Sequence, residues 1–214
     1  MKNDAILTTF DDWTLRVRPG TGRQILLLLH GWTGDENSMS IFARNLPSQD
    51  WIIAPRAPNA ALPGGFSWRA PAPRGSWPTI DLLRPAVDKL ILLLDHWADA
   101  NDLDASEVNV AGFSQGGAMT FTLGALYPTR VRKMGILAGF APEGAEDILT
   151  PDLFRGKNIF LAHGTLDEMV PIAMAYRTVE LLRNAGALVT YCESEVGHKL
   201  SAEGLRALES YLAN

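Results

Sequence analysis

The chain has 214 residues, 47% hydrophobic and 20% charged, which is enough for one domain with a real core and too apolar for a disordered polymer. A formal net charge of −5 with no basic run excludes a protein built to neutralise nucleic-acid phosphates. The longest apolar runs, residues 25–29 and 90–94, are too short to span a bilayer, and the single cysteine, Cys192, excludes an internal disulfide.

Residues 1–13 contain Asp4, Asp11 and Asp12 and no continuous apolar stretch, so they do not read as a signal peptide, and a cytoplasmic location is expected. In chain order, residues 15–18 predict an antiparallel edge strand. Short apolar runs at 24–30, 51–54, 108–113, 134–137, 158–162 and 188–191 follow as strand candidates. Several are apolar throughout, as in central strands covered on both faces. Between them lie helical patterns. Leu82, Leu83, Ala86, Leu90, Leu93, Leu94 and Trp97 recur at three- and four-residue spacing and predict one buried stripe, with Pro85 starting or kinking that helix. Residues 118–127, 172–183 and 202–212 have the same periodicity. Alternating strands and helices predict a single α/β domain over 1–214, with a mostly parallel sheet covered by helices on both faces.

Residues 55–78 break the rhythm. They hold six of the thirteen prolines, three arginines (Arg56, Arg69, Arg74) and no acidic residue, together with Phe66, Trp68 and Trp77. A loop of that length inside a compact domain predicts an ordered wall of a binding site, the alternative being a wrap around the core. Its positive charge in a net-negative chain predicts either a preference for esters carrying an anionic group or arginines that are merely solvated. Its tryptophans, taken as exposed, make it a candidate homodimer surface.

Gly112-Phe113-Ser114-Gln115-Gly116 has the pattern Gly-x-Ser-x-Gly. The pattern is modest evidence alone, and its placement strengthens it. It closes one apolar run and opens a helical one, so Ser114 falls on a strand-to-helix turn, where a strained backbone lifts the hydroxyl above the sheet. A serine needs a base. Of His30, His96, His163 and His198, only the last two follow Ser114, and only His198 lies in a loop with an acid-bearing strand end before it. Asp167 and Glu168 both stand in that preceding loop. The shorter Asp167 is the better fixed partner for an imidazole. The backbone N–H groups of Gln115 and Trp32 are the expected oxyanion donors, and losing one such donor typically costs ~2.7–4 kcal/mol of transition-state stabilisation. Phe66, Trp68, Arg69, Phe140 and Val170 are candidates for the substrate-binding wall, with Trp32 adding an apolar surface. No His-Glu-x-x-His, cysteine pair or phosphate-cradling loop supports a metal or nucleotide site.

These motifs resemble the phospholipase/carboxylesterase family of the α/β-hydrolase fold, which includes acyl-protein thioesterases. The matching residues are His30-Gly31, Gly34-Asp35-Glu36, Pro55-Arg56-Ala57-Pro58, Gly112 to Ala118, Asp167 to Pro171 and Gly197-His198. The resemblance implies a compact serine hydrolase with no large cap domain and no cofactor, acting on a small-molecule ester or thioester through Ser114, His198 and Asp167. It departs from the family at Trp32, where a smaller aliphatic residue is common, and at Trp68-Arg69, where an aromatic and an acidic residue often stand. Two alternatives are an acyl-protein or lysophospholipid hydrolase, and a ligand-binding protein that keeps the fold with little turnover. A histidine base predicts activity that rises with pH as the imidazole deprotonates.

Overall fold

The computed structural model describes residues 5–46, 48–73 and 75–213; Met1 to Asp4 and Arg74 lie outside them. An antiparallel pair, β1 (Ile6–Phe10) and β2 (Trp13–Arg18), starts the sheet. Then come β3 (Gln24–Leu29), the short helix α1 (Ser40–Ala43) and β4 (Trp51–Pro55). The long loop forms a two-residue hairpin, β5 (Asn59–Ala60) with β6 (Phe66–Ser67). The remaining elements alternate as α2 (Ile80–Asn101), β7 (Asp104–Phe113), α3 (Gln115–Leu126), β8 (Val131–Leu137), α4 (Ala145–Ile148), β9 (Asn158–Gly164), α5 (Ile172–Asn184), β10 (Leu188–Ser194) and α6 (Ala202–Ala213). The main sheet has eight strands in the order β1-β2-β4-β3-β7-β8-β9-β10. Only the pairs β1/β2 and β2/β4 are antiparallel.

The apolar run of β3 explains how both faces are covered. Ile25, Leu27 and Leu29 point into the core shared with α2, α3 and α5, while Leu26 and Leu28 point into the core shared with Leu208 and Leu212 of α6. Successive strand residues face opposite sides, so a strand with helices on both sides must be apolar at every position. Each of those leucines fully removed from water contributes about 1.5–3 kcal/mol. Helix α2 starts at Ile80, where the Thr79 hydroxyl accepts from the Leu82 N–H at 3.2 Å, so Pro85 lies inside the helix rather than at its start. Leu83, Ala86, Leu90, Leu93, Leu94 and Trp97 form the expected stripe. Leu82 does not join it, being 39% exposed. Among the described residues no helix is long and apolar enough to cross a membrane.

The elements that carry no sequence signal are those without apolar periodicity. Strand β1 alternates weakly, and α1 and α4 are four residues each, too short to carry a period. The long loop departs most from expectation, because its aromatic residues point inward. Trp68 is 1% exposed, its indole N–H donates to the His30 carbonyl at 2.7 Å and its ring packs against the His30 imidazole. Trp77 packs edge-on against Phe140, with ring centroids 4.8 Å apart. A dimer surface made of exposed tryptophans in this loop therefore has no basis at Trp68 or Trp77. Trp68→Phe keeps the packing but leaves the buried His30 carbonyl without its donor. It is expected to cost about 1–3 kcal/mol, read as a lowered urea midpoint with unchanged slope.

Candidate active site

Ser114 sits between β7 and α3 with φ 55° and ψ −117°, a left-handed conformation that costs a non-glycine residue about 1–3 kcal/mol. Its N–H donates to the Leu137 carbonyl at 2.8 Å, and its carbonyl accepts from Gly117 and Ala118, so the turn is held from both sides. The flanking glycines are required by contact. A Cβ on Gly112 would fall on the Gly116 carbonyl, and one on Gly116 would fall on the carbonyl of Leu29. The serine side chain makes no capping hydrogen bond and is half-buried at the sheet's C-terminal edge.

Asp167 lies in the turn after β9 with a fully buried side chain. One carboxylate oxygen, Oδ1, accepts from the N–H groups of Met169 (2.9 Å) and Val170 (2.8 Å). The other, Oδ2, is 2.7 Å from His198 Nδ1. A carboxylate held by two backbone donors can only accept, so the proton between them belongs to His198 Nδ1 and the Nε2 lone pair is free to act as a base. Glu168, the other candidate acid, is exposed. The His198 ring packs on Phe113, the residue before the serine, with centroids 4.9 Å apart. That contact holds the imidazole over the end of β7, directly before Ser114. Among the described residues His198 Nε2 and Ser114 Oγ are not joined by a hydrogen bond, a contact that in hydrolases commonly tightens only when substrate is bound.

Chain order gives His163 no acid-bearing strand end before it, and the structure places it behind Asp167. Its Nε2 donates to the Val170 carbonyl at 2.8 Å and lies 3.5 Å from Asp167 Oδ2, with no side-chain exposure. Among the described residues its Nδ1 has no partner. Strand β9 runs two residues beyond the expected end, and this carries His163 into the sheet beneath the turn that holds Asp167.

The loop that carries Trp32, one of the two expected oxyanion donors, runs against the serine turn that carries Gln115, the other. Gly31 abuts the serine, since a Cβ there would be 3.2 Å from Ser114 Cβ. Directly after Trp32 the chain is pinned to the long loop. Thr33 N–H donates to the Phe66 carbonyl and Phe66 N–H to the Gly34 carbonyl, both at 3.0 Å. The N–H groups of Trp32 and Gln115 themselves have no acceptor among the described residues. The Gln115 side chain adds a brace, its Oε1 accepting from Trp68 N–H at 3.0 Å. The long loop therefore positions the donor loop.

His30 is structural, as expected. It is 1% exposed, and its Nε2 accepts from Ala57 N–H at 3.0 Å, which leaves Nδ1–H to donate to the Gly31 carbonyl at 2.7 Å. Burial holds its pKa below the ordinary histidine value. The unfolded chain takes up a proton at His30 as pH falls through about 6.5, whereas the folded chain resists it, so stability is lost on acidification. Urea midpoints between pH 7.5 and pH 5 should fall more steeply in the wild type than in His30→Gln.

Several substrate-wall assignments need correction. Trp68, Phe140 and Val170 are buried at 1%, 3% and 3% exposure, committed to the core and to hydrogen bonds of the acid turn, and offer no free face to a ligand. Arg69 folds back to donate to the hydroxyl and carbonyl of Ser76 at 3.1 and 3.0 Å. Arg56 forms a bidentate pair with buried Glu36 at 2.8 and 3.0 Å and lies over the Phe66 ring. That pair holds the Glu36 carboxyl below the usual range. Phe66 remains half-buried beside the site. With two of its three arginines committed and Arg74 outside the described residues, the loop supplies no described free cation for an anionic ester.

The apolar cavity that does open beside the site lies on the other flank. It has a volume of about 510 Å³ and runs between residues 31–42 and 199–205. No sequence signal marked Ile41, Phe42, Leu200 or Leu205 for it, since each reads as an ordinary helix-flank residue.

A mostly parallel eight-stranded sheet with a serine elbow after β7, an acid after β9 and a histidine after β10 defines the α/β-hydrolase class. Within that class the chain belongs to the phospholipase/carboxylesterase family, whose model matches residues 18–214. A probable carboxylesterase of Oryza sativa subsp. japonica is 29% identical over 90% of this chain and 77% of that protein. Acyl-protein thioesterase 1 of Mycosarcoma maydis is 30% identical over 53% of this chain and 50% of that protein. The crystal structure of a carboxylesterase from Mesorhizobium loti shares the fold, with a TM-score of 0.82 at 21% identity over 99% of each chain.

Proposed function

We propose that the chain is a serine carboxylesterase that hydrolyses small-molecule carboxylic esters or thioesters through an acyl-enzyme on Ser114. Ser114 Oγ attacks the carbonyl carbon while His198 Nε2 takes its proton, and the buried Asp167 carboxylate stabilises the imidazolium. The oxyanion is received by the N–H groups of Trp32 and Gln115. The C–O or C–S bond then breaks as His198 returns the proton to the leaving oxygen or sulfur. Water, deprotonated by the same imidazole, attacks the acyl-serine and releases the acid and Ser114.

The observation that carries this reading is the Asp167–His198 pair at 2.7 Å, with the acid's other oxygen saturated by two backbone donors. Such a pair fixes the tautomer a serine needs, and family membership supports the same chemistry. The names of the rice and Mycosarcoma relatives support esters and thioesters respectively as substrate classes. The test is labelling with a fluorophosphonate. A single adduct on the peptide containing Ser114, with parallel loss of p-nitrophenyl acetate turnover, is expected. Turnover that survives complete labelling of Ser114 refutes the reading, and tight ester binding with no turnover would move the chain to a binding protein.

A further inference from the structure

Resting on the esterase reading, we propose that the cleft between residues 31–42 and 199–205 receives the leaving group of the substrate, and that this group is an apolar alcohol or thiol. The cleft has the volume of a small-ligand site, about 510 Å³. Its walls are chiefly apolar, with Trp32, Ile41, Phe42, Phe113, Leu200 and Leu205 prominent among them. Lys199 is the one charged residue among the described lining. Trp32 and Ile41 are 52% and 54% exposed, large apolar side chains of the cleft wall left open to water.

The direction follows from where the protons go. The carbonyl oxygen must face the Trp32 and Gln115 N–H groups, and the leaving atom must lie within reach of His198 Nε2, which protonates it as its bond to carbon breaks. Whatever is attached to that atom therefore extends past the histidine. The cleft is lined by Lys199, the residue after His198, and by Phe113, the residue before Ser114. Its far wall is the segment directly after His198, and Phe113, which packs on the imidazole, forms its floor. The opposite flank, made by Trp68, Phe140 and Val170, is packed and offers an acyl chain no comparable opening. The substrate class that fits is an ester or thioester with a short acyl group and a longer apolar leaving group.

Two ester series separate the two sides. Alkyl acetates from ethyl to hexyl vary only the leaving group, and primary alcohols of those lengths differ little as leaving groups, so the slope reads binding. p-Nitrophenyl esters from acetate to hexanoate vary only the acyl group. For the wild type, kcat/KM should climb along the alkyl series by up to roughly fourfold per methylene, the value of a buried CH₂. It should not climb along the acyl series. Ile41→Trp, which fills the cleft from an exposed position, and Ile41→Asp, which charges it, should both flatten the alkyl slope. An alkyl slope unchanged in both variants, or a variant-sensitive slope found in the acyl series instead, overturns the assignment. Equal rates in wild type and Ser114→Ala for every ester would instead sink the esterase reading itself, whatever the slopes.

Discussion

Ser114→Ala is expected to lower kcat for p-nitrophenyl acetate by roughly 10⁴- to 10⁶-fold, with no burst of p-nitrophenol in the first turnover. On the proposed mechanism, the size of the effect follows from losing the atom that forms the acyl-enzyme. What remains is positioning and the two oxyanion donors, which in serine hydrolases leave a residual acceleration of about 10³- to 10⁴-fold over water. The substitution isolates chemistry from folding. The hydroxyl makes no capping hydrogen bond, and the left-handed backbone is enforced by the Leu137, Gly117 and Ala118 contacts rather than by the side chain. The denaturant midpoint should therefore stay within about 0.5 kcal/mol of wild type. A variant that loses activity together with its cooperative unfolding transition would contradict this account of the elbow.

Asp167→Asn is the second large expectation, a fall in kcat of about 10⁴-fold with little change in KM. The hydrogen bonds around the acid decide which way the amide must turn. Oδ1 accepts from two backbone N–H groups, so the amide oxygen of asparagine must take that place. Its NH₂ group then faces His198 Nδ1, where Oδ2 now stands at 2.7 Å. A donor at that position forces Nδ1 to accept and drives the proton to Nε2, the atom that should take the proton from Ser114. The geometry is kept and the tautomer is wrong. His163 complicates the pocket usefully. Its Nε2–H lies 3.5 Å from Oδ2 and would also meet the new NH₂, so some loss of stability should accompany the loss of rate. The kinetic test is a pH profile. The residual activity of Asp167→Asn should recover at high pH, where hydroxide can take the Ser114 proton that a protonated Nε2 cannot accept, more than that of Ser114→Ala does. A kcat within tenfold of wild type would remove Asp167 from the reaction.

The two substitutions rest on residues legible without a structure, and the reasons are local. Gly112 to Gly116 ends a mostly apolar run and begins a helical one, and steric crowding at such a turn admits only small neighbours, so the elbow announces itself in five consecutive residues. The alternation of strands and helices follows from hydrophobic period, because β3 and its neighbours are covered on both faces and must be apolar throughout. Chain order alone separates His198 from His30 and His96.

The choice between Asp167 and Glu168 rested on side-chain length in the sequence, whereas in the fold it is a matter of burial: one carboxylate is enclosed by backbone donors and its neighbour stands in water. The ligand wall was beyond the sequence. Trp68 and Phe140 have the composition of a binding surface, but an aromatic side chain in a loop lines a pocket or fills a core according to which backbone it meets. Here Trp68 meets the His30 carbonyl and Phe140 meets Trp77. Arginines in the same loop look free in sequence and are spent on Glu36 and Ser76, contacts reached only when distant segments converge. Sequence by itself therefore determined the class of fold and the residues whose roles follow from neighbouring positions, the elbow above all. Tertiary structure decided which flank of the site is filled and which is open, because long-range packing, not local period, settles where an apolar side chain stops being core and becomes the wall of a cleft.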